Sequence, residues 1–342
     1  MKIYSQPSIK KKVMEKHIIK SMPTGIQKLN DNSKSIIKTA DYNTKKPINI
    51  SSAAFNIGCP ISTIPMKKLA IEDLKRFETI EDYNSKYPYY KKNAKKSPDY
   101  EVPAVDSGTH EYANVIGYND NWGASSTINV WNSYTEQSSE FSLSQIWVAR
   151  GNTFDGSLET VEAGAQVYNN RNGDNNNHFF IYFTPDNYGS GGCYDLGCGF
   201  VQTNPNILIG QTLTPVSTLG GTQYSIHLEI VRDTVDGDWW IKYGDSWLGY
   251  YPNSLFDSNG LKDKAARADF GGEIFNGSIS IHTNTDMGSG EFPSAGWQQA
   301  AFQNNLKYVD LNYTYVDLTN GVLNVTDSNC YDINYISSSS GT

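Results

Sequence analysis

The sequence is poor in the residues that metal, redox and thiol chemistry need. It has four cysteines and five histidines among 342 residues, and it lacks a His-Glu-x-x-His pair of the kind that binds catalytic zinc. Only Cys193 and Cys198 lie close together, and this spacing fits a small disulfide loop, because a zinc site would need two more ligands nearby. We therefore expect no metal and no cofactor, and an oxidising compartment if the disulfide forms.

Long apolar runs are absent as well. Residues 1–20 have no apolar core of signal-peptide length, and no segment is long enough to cross a membrane. We expect a protein outside the membrane whose export signal, if it has one, is removed, unconventional or outside this sequence. A Gly-x-Ser-x-Gly turn between a strand and a helix is also missing. His282 is therefore expected to be a hydrogen-bonded structural residue and not the partner of a nucleophilic Ser289.

Charged residues make up only 19% of the chain, and they are unevenly distributed. Residues 1–102 contain 20 Lys and Arg against 10 Asp and Glu, a net charge of +10, whereas residues 103–342 contain 8 against 26, a net charge of −18. A basic segment followed by an acidic body suggests two units that attract each other. We expect no nucleic-acid partner, because aromatic residues are not interleaved with the lysines as base stacking would need.

Aromatic residues and glycine are abundant, and their arrangement favours an all-β fold. From about Gly108, short runs of alternating hydrophobicity are separated by Gly, Asn and Asp, which predicts an antiparallel two-sheet β-sandwich over residues 104–342. Residues 1–57 are interpreted as a basic, flexible arm. Residues 58–103 are interpreted as a small pro-segment with a short helix over about 68–80, followed from residue 86 by a linker that prolines and lysines keep exposed.

The run Thr160–Tyr168 carries the first candidate functional residue. Period-two alternation places Val161, Ala163, Ala165 and Val167 on one face of the strand, and the polar members of the run on the other. The polar face then consists of Glu162, Gly164, Gln166 and Tyr168. A second candidate, Glu273, follows two glycines that would let another backbone approach closely.

Further motifs along the chain resemble the neprosin family of glutamic peptidases. The motifs that carry the resemblance to its catalytic domain are His110–Ala113, Ile128–Trp131, Phe141–Trp147, Val161–Gly164, Gly192–Tyr194, Gly199–Asn204, Pro215–Ser217 with Gly220-Gly221, Trp239-Trp240, Gly249–Pro252, Ser254–Phe256, Gly271–Ile274 and His282–Gly290. The segment Cys59-Pro60 with Thr63–Pro65 resembles the family's activation peptide. The similarity runs in order from about Gly58 to Asp332.

The resemblance implies a secreted, monomeric endopeptidase that acts on proteins or peptides, cleaves on the carboxyl side of proline and is made as a zymogen. It implies that Glu162 and Glu273 are the catalytic residues, that Cys193 and Cys198 form a disulfide, and that the mature enzyme begins near Pro103. The chain departs from the family at Ala165, where plant members have Trp, and at its shortened C-terminus. Cys330 therefore lacks its usual partner, and it is either free or paired with Cys59.

Two neighbouring carboxyl groups suit peptide hydrolysis, because like charges resist ionising together and the pair then shares one proton. One member acts as the base towards water and the other as the acid, so we expect an acidic pH optimum; the proton belongs to the pair, and neither role is assigned. Gln166 and Tyr168 are the candidate substrate or oxyanion contacts, and Trp239 could line a cleft for a proline ring or belong to the core.

The charge asymmetry gives the pro-segment a role as intramolecular inhibitor that acid would release. Two alternatives stay open at this point: a carbohydrate-active β-sandwich, since paired carboxylates and aromatics also serve sugars, and an inactive family member that only binds peptides.

Overall fold

The computed structural model describes residues 22–23, 25–26, 47–50, 57–60, 63–86, 109–278 and 282–337. Its helices are α1 (Ile71–Leu74), α2 (Ile80–Asn84) and α3 (Asn169–Asn172), with 3-10 turns at Asn253–Leu255 and Pro293–Ala295. Its strands are β1 (Ile48–Asn49), β2 (Thr109–Gly117), β3 (Gly123–Asn129), β4 (Phe141–Arg150), β5 (Glu159–Tyr168), β6 (Asn177–Thr184), β7 (Cys193–Tyr194), β8 (Val201–Gln202), β9 (Tyr224–Arg232), β10 (Trp239–Tyr243), β11 (Ser246–Tyr251), β12 (Arg267–Asn276), β13 (Gln303–Val309), β14 (Tyr315–Asp317) and β15 (Val322–Val325).

The strands form two sheets, and this confirms the predicted all-β sandwich. One sheet has the order β14-β13-β3-β9-β10-β11-β8, with β1 added beside β9, and the other has the order β15-β2-β12-β4-β5-β6-β7. All pairs are antiparallel except β1 with β9. Among the described residues no helix is long and apolar enough to cross a membrane.

The main core lies between the sheets and follows the alternation of the sequence. Val161, Ala163 and Ala165 of β5 are fully buried there together with apolar residues of the facing strands. Ala165 thus lies on the face opposite Glu162, as the alternation predicted. The small side chain at this position is buried in the core and lies away from the polar face of the strand.

A second apolar cluster covers the outer face of the seven-stranded sheet. It contains Phe141, Leu143, Trp147, Tyr168, Phe180, Tyr182, Tyr194 and Phe275, and Phe77 of the predicted pro-segment packs against it. Every residue of β5 is buried, although an antiparallel strand usually leaves one face to water. The second face of β5 is therefore covered, and the predicted pro-segment contributes to that cover.

The predicted pro-segment contains the short helix expected within about residues 68–80, but the helix is shorter than predicted. It covers only α1 (Ile71–Leu74), and a second helix, α2, follows from Ile80. Thr79 is the N-cap of α2: its backbone is extended, its hydroxyl accepts a hydrogen bond from the Asp82 N–H, and the Asp82 carboxylate accepts one from the Thr79 N–H. Such a capping box starts a new helix instead of continuing the old one.

Part of the predicted flexible arm is ordered in the structure. Ile48 and Asn49 pair with β9, and Ile50 is buried against the main core. These contacts attach residues 47–50 to the sandwich, and the description of residues 1–57 as a flexible arm stays a prediction. The predicted linker lies outside the described residues from residue 87 to residue 103.

The predicted disulfide between Cys193 and Cys198 is present. Cys59 and Cys330 each carry a free thiol, so the structure does not join them to each other. Their side chains are both partly buried.

Candidate active site

Two glutamates come together on the outer face of the seven-stranded sheet. Glu162 lies on β5 and Glu273 on β12, and β4 runs between them with Trp147 opposite Glu162 and Leu143 opposite Glu273. Gly271, two residues before Glu273, permits this arrangement: it has φ +150°, and a Cβ there would lie 2.4 Å from the Ala113 carbonyl oxygen of β2. The predicted close approach of another backbone at the two glycines is confirmed for Gly271.

A single ammonium group bridges the two carboxylates. The Lys86 Nζ lies 2.7 Å from Glu162 Oε2 and 2.7 Å from Glu273 Oε2. Because each oxygen lies 2.7 Å from the same nitrogen, the two oxygens are no more than about 5.4 Å apart. All three side chains are essentially inaccessible to solvent. Residues separated by 76 and 187 positions along the chain thus meet at one point.

Glu162 is also held by side chains of the sandwich itself. Its Oε1 accepts hydrogen bonds from the Thr160 hydroxyl and the Tyr188 hydroxyl, each at 2.7 Å, and its Oε2 accepts one from Gln145 Nε2 at 2.8 Å. Tyr188 reaches it from a backbone conformation with φ +56°, which bulky residues rarely adopt. Strain of this kind often marks functional positions. These three donors fix the carboxylate independently of Lys86.

Glu273 has a different set of neighbours. Its Oε1 lies 2.7 Å from His110 Nδ1, and the Tyr112 hydroxyl donates to the same oxygen at 3.4 Å. Burial alone would raise the pKa of Glu273, but the charge of Lys86 and the hydrogen bond and charge of His110 outweigh it, so the pKa lies below its ordinary value. Glu273 is therefore held in its ionised form.

Lys86 itself is enclosed by aromatic rings. Its ammonium lies 5.5 Å from the centre of the Trp147 ring and 5.9 Å from that of Tyr188, within the range of a cation–π interaction. Burial would lower the pKa of Lys86, but the charges of Glu162 and Glu273 overcome it and raise the pKa above its ordinary value. The prediction that the lysines from residue 86 onward lie exposed in a linker is wrong for Lys86.

The three candidate substrate contacts separate into two groups. Gln166 and Tyr168 lie on the same face of β5 as Glu162, beneath the predicted pro-segment, where the Tyr168 ring packs edge-on against Phe77. Trp239 is fully buried in the core between the sheets, where its indole N–H donates to the Leu261 carbonyl at 2.9 Å. The sequence left open whether Trp239 lines a cleft or belongs to the core, and in the structure it belongs to the core.

Sequence reasoning missed several residues around the glutamates. Lys86 and Tyr188 carry no local pattern that marks them. His110 belongs to a motif of the resemblance, yet nothing in its spacing links it to Glu273. Thr160 lies two residues before Glu162 on β5, so the alternation of this run already places both on one face. A signal for Gln145 exists only after strand pairing is known, because Gln145 then lies diagonally beside Glu162 in the β4–β5 register.

Histidines elsewhere have structural contacts. His282 Nδ1 lies 2.6 Å from the Thr283 carbonyl oxygen and Nε2 lies 3.2 Å from Glu111 Oε2, which agrees with the predicted hydrogen-bonded role. Within the described part of the chain, His282, Asp327 and Cys330 are the residues that could hold a metal ion, since their ligand atoms lie within 4.8 Å of one another. None of the three contacts Glu162 or Glu273.

Two buried glutamates share one face of the two-sheet β-sandwich, an arrangement that fits a glutamic-type peptidase. The family of this chain follows from the sequence comparison: the Neprosin family model matches residues 138–342. The matched region spans more than half of the chain, and the chain belongs to the neprosin family.

Solved structures show weaker likenesses. Scytalido-glutamic peptidase with a peptide-based transition-state analogue has 16% identity and a TM-score of 0.31, covering 66% of this chain and 91% of the other. SCP-B, a member of the eqolisin family of peptidases, in complex with the tripeptide Ala-Ile-His has 14% identity and a TM-score of 0.32, covering 66% and 90%. The agglutinin CG-16 from chicken liver has 10% identity and a TM-score of 0.24, covering 46% and 92%. Scores this low say nothing about activity.

Proposed function

We propose that the chain is a latent glutamic endopeptidase that hydrolyses peptide bonds at acid pH, with Glu162 and Glu273 as its catalytic pair. The observation that carries the proposal is the contact of both carboxylates with one nitrogen at 2.7 Å. Removal of that nitrogen would leave two carboxyl groups facing each other across a space that a water molecule and a peptide carbonyl can enter.

The reaction needs one proton shared by the pair. The ionised glutamate takes a proton from water while the oxygen attacks the carbonyl carbon, and the protonated glutamate donates a hydrogen bond or its proton to the carbonyl oxygen. The tetrahedral intermediate then collapses as its nitrogen gains a proton and the C–N bond breaks, which yields a carboxylic acid and an amine. Two carboxylates this close resist ionising together, so the singly protonated pair exists under acidic conditions.

Lys86 explains why the enzyme would be inactive while the pro-segment is in place. Its ammonium occupies the space between the carboxylates and holds Glu273 in its ionised form, whereas the reaction requires the two carboxyl groups to share one proton. We propose that residues 58–103 are a pro-segment whose Lys86 blocks the pair both sterically and electrostatically. Removal of the pro-segment at low pH would open the cleft and restore the shared proton.

Substrate contacts are proposed on the face that the pro-segment covers. The Gln166 side chain accepts a hydrogen bond from the Tyr194 hydroxyl at 3.2 Å, while its own Nε2 has no partner among the described residues. A buried amide donor of this kind favours a ligand that brings an acceptor, such as the carbonyl of a peptide. The Tyr168 ring, now against Phe77, would then face the bound chain.

The finer features are proposed on family grounds. Cleavage on the carboxyl side of proline is the specificity attributed to the neprosin family. The Cys193–Cys198 disulfide supports an exported protein. We propose that the mature enzyme begins near Pro103 and acts as a monomer.

The test is cleavage of a randomised peptide library by acid-treated full-length protein between about pH 3 and pH 7, with Glu162→Gln and Glu273→Gln as variants. We expect either substitution to reduce kcat by at least about a thousandfold, because neither amide can share the proton. Full activity of either variant would overturn the proposal. Cleavage without preference for proline would overturn the specificity alone.

Glu229 offers a matched control. It is also a buried glutamate paired with a lysine, with Lys242 Nζ 2.9 Å from its Oε1, but it lies on the other sheet. Glu229→Gln is expected to lower stability and to leave kcat unchanged. Equal loss of kcat in Glu229→Gln would show that the effect of the other two substitutions is one of folding.

A further inference from the structure

Arg171 is a buried cation that lies between two aromatic rings. It is only 5% exposed, and its guanidinium carbon is 4.5 Å from the centre of the Tyr83 ring and 4.2 Å from that of the Tyr194 ring. Its Nη1 donates a hydrogen bond to the backbone carbonyl of Tyr83. Arg171 therefore contacts both the side chain and the main chain of the same pro-segment residue.

One half of this arrangement belongs to the sandwich. Arg171 Nη2 donates to Asp195 Oδ2 at 2.8 Å, and Asp195 Oδ1 accepts the Ile181 N–H of β6 at 3.2 Å. The Tyr194 hydroxyl donates to Gln166 on β5 at 3.2 Å. Asp195 and Tyr194 are thus fixed by the seven-stranded sheet, and together they hold the guanidinium in place without any contribution from the pro-segment.

The remaining contacts of Arg171 come from Tyr83 and would be lost on removal of the pro-segment. Tyr83 stands three residues before Lys86 in the sequence, so one short piece of chain reaches both Arg171 and the glutamate pair. Phe77 packs edge-on against Tyr83, with ring centres 5.4 Å apart. When this segment is removed, one face of the guanidinium loses its ring, and Nη1 loses its acceptor.

A substrate chain in the same cleft can replace both contacts. Every residue of a peptide offers a carbonyl to Nη1, but only Phe, Tyr or Trp offers a ring to the guanidinium face, where a desolvated cation–π contact is strongest. We propose that Arg171, with Tyr194 and Asp195, forms a substrate subsite that selects an aromatic residue about three residues from the scissile bond, by analogy with the three positions that separate Tyr83 from Lys86 in the sequence. The inference rests on the proposed peptidase function.

The first test is a peptide library randomised on both sides of the cleavage site and digested by the acid-treated full-length protein. We expect a preference of about tenfold in kcat/KM for an aromatic residue over Ala or Leu at one position about two to four residues from the scissile bond. Arg171→Gln should abolish that preference and leave the choice of residue at the scissile bond unchanged. Absence of any such preference, or its survival in Arg171→Gln, would overturn the subsite.

Arg232 provides a matched control. Its guanidinium also lies over an aromatic ring, 5.4 Å from the centre of Trp122, but on the other sheet. Arg232→Gln should keep the aromatic preference. If it lost that preference as fully as Arg171→Gln, the effect would be an indirect one and the subsite would be wrong.

A binding measurement separates this inference from the proposed chemistry. Synthetic peptides with the sequence of residues 76–86, with Tyr or Leu at position 83, are titrated onto acid-processed wild-type protein and onto the Arg171→Gln variant. The Tyr peptide should bind about tenfold more tightly to the wild type, and the two peptides should bind equally to Arg171→Gln. If the Leu peptide bound more weakly than the Tyr peptide by the same factor in both proteins, the subsite would be wrong, whatever residues perform catalysis.

Discussion

The ammonium nitrogen of Lys86 lies 2.7 Å from Oε2 of Glu273, and neither side chain is accessible to solvent. The same nitrogen lies equally close to Glu162. Lys86 favours the ionised form of Glu273 against the opposing effect of burial, because protonation of that carboxylate would remove one of the two negative charges that surround the ammonium. The ammonium also occupies the space between the carboxylates that the proposed reaction needs.

Replacing Lys86 should release latency. Lys86→Met keeps a flexible side chain of similar length but leaves Glu162 and Glu273 facing each other without a cation. Breaking a buried ion pair in this way costs about 3–5 kcal/mol, so the pro-segment should dock more weakly. We expect Lys86→Met to be processed and active at pH values where the wild type stays intact, as followed by gel electrophoresis and peptide cleavage.

A matched lysine in the same segment is Lys75, which pairs with Glu72 on an exposed surface. Exposed pairs contribute about 0–1 kcal/mol, so Lys75→Met should behave as the wild type does. The role of Lys86 would be refuted if Lys86→Met remained as latent as Lys75→Met.

The pH dependence of pro-segment release follows from Glu273. Its pKa is lowered in the folded protein, chiefly by Lys86 against the opposing effect of burial. A carboxyl group with a lowered pKa adds stability that is complete above its unfolded value and is lost as the pH falls through the lowered value. Processing of the full-length protein should therefore begin below about pH 4.5, the ordinary value for Glu. A processing rate that is constant from about pH 3 to pH 7 would contradict this.

Salt distinguishes two origins of the inhibition. The net charges of +10 for residues 1–102 and −18 for residues 103–342 suggest a long-range attraction between the two segments. About 0.5 M NaCl would screen this attraction, because the Debye length is then under about 5 Å. The buried contacts of Lys86 are shielded from solvent ions. We expect this salt to change the processing rate at about pH 4 by less than about twofold. A much larger acceleration would show that long-range attraction holds the pro-segment.

The sequence could predict what local periodicity decides. The alternation of β5 placed Val161 and Ala163 in the core and Glu162 on the opposite face, because side chains of a strand alternate in every sheet. Burial of Lys86 depends on Glu162 and Glu273, which are distant in the chain, while the neighbouring prolines and lysines indicate an exposed linker. The choice between cleft and core for Trp239 likewise depends on which sheet its strand joins.

Tyr188 gives a prediction about the glutamate that the sandwich holds. Its hydroxyl donates to Glu162 Oε1 at 2.7 Å, and a hydrogen bond to a charged group contributes about 1.5–3 kcal/mol. Tyr188→Phe should lower kcat by about tenfold or more with little change in KM, because the donor orients the carboxylate and not the substrate. Tyr182→Phe, whose ring stacks on Tyr188 at 6.0 Å, is the control and should keep kcat. A rise in KM alone in Tyr188→Phe would place the hydroxyl in substrate binding instead.

Asp269 connects the stability of the fold to acid conditions. Asp269 lies on β12 and pairs with Trp147 of β4, which in turn pairs with Glu162 of β5. The three residues therefore lie side by side across three neighbouring strands. Burial, opposed by Arg267 and reinforced by the charge of Glu162, raises the pKa of Asp269 from 3.8 to about 7. Between these values the folded protein binds the proton more tightly than the unfolded chain does, so stability falls as the pH rises. The full effect at neutral pH is at most about 4 kcal/mol.

Asp269→Asn should therefore stabilise the protein at about pH 7 and have almost no effect at about pH 3, where the aspartate is already neutral. Urea unfolding of full-length protein measures this, in a Glu273→Gln background that prevents self-cleavage. Asp317→Asn removes an exposed aspartate paired with Lys307 and should change stability little at either pH. Suppose that Asp269→Asn gave the same change in the free energy of unfolding at both pH values. Its effect would then be one of packing, and the titration of Asp269 would not make the stability fall as the pH rises.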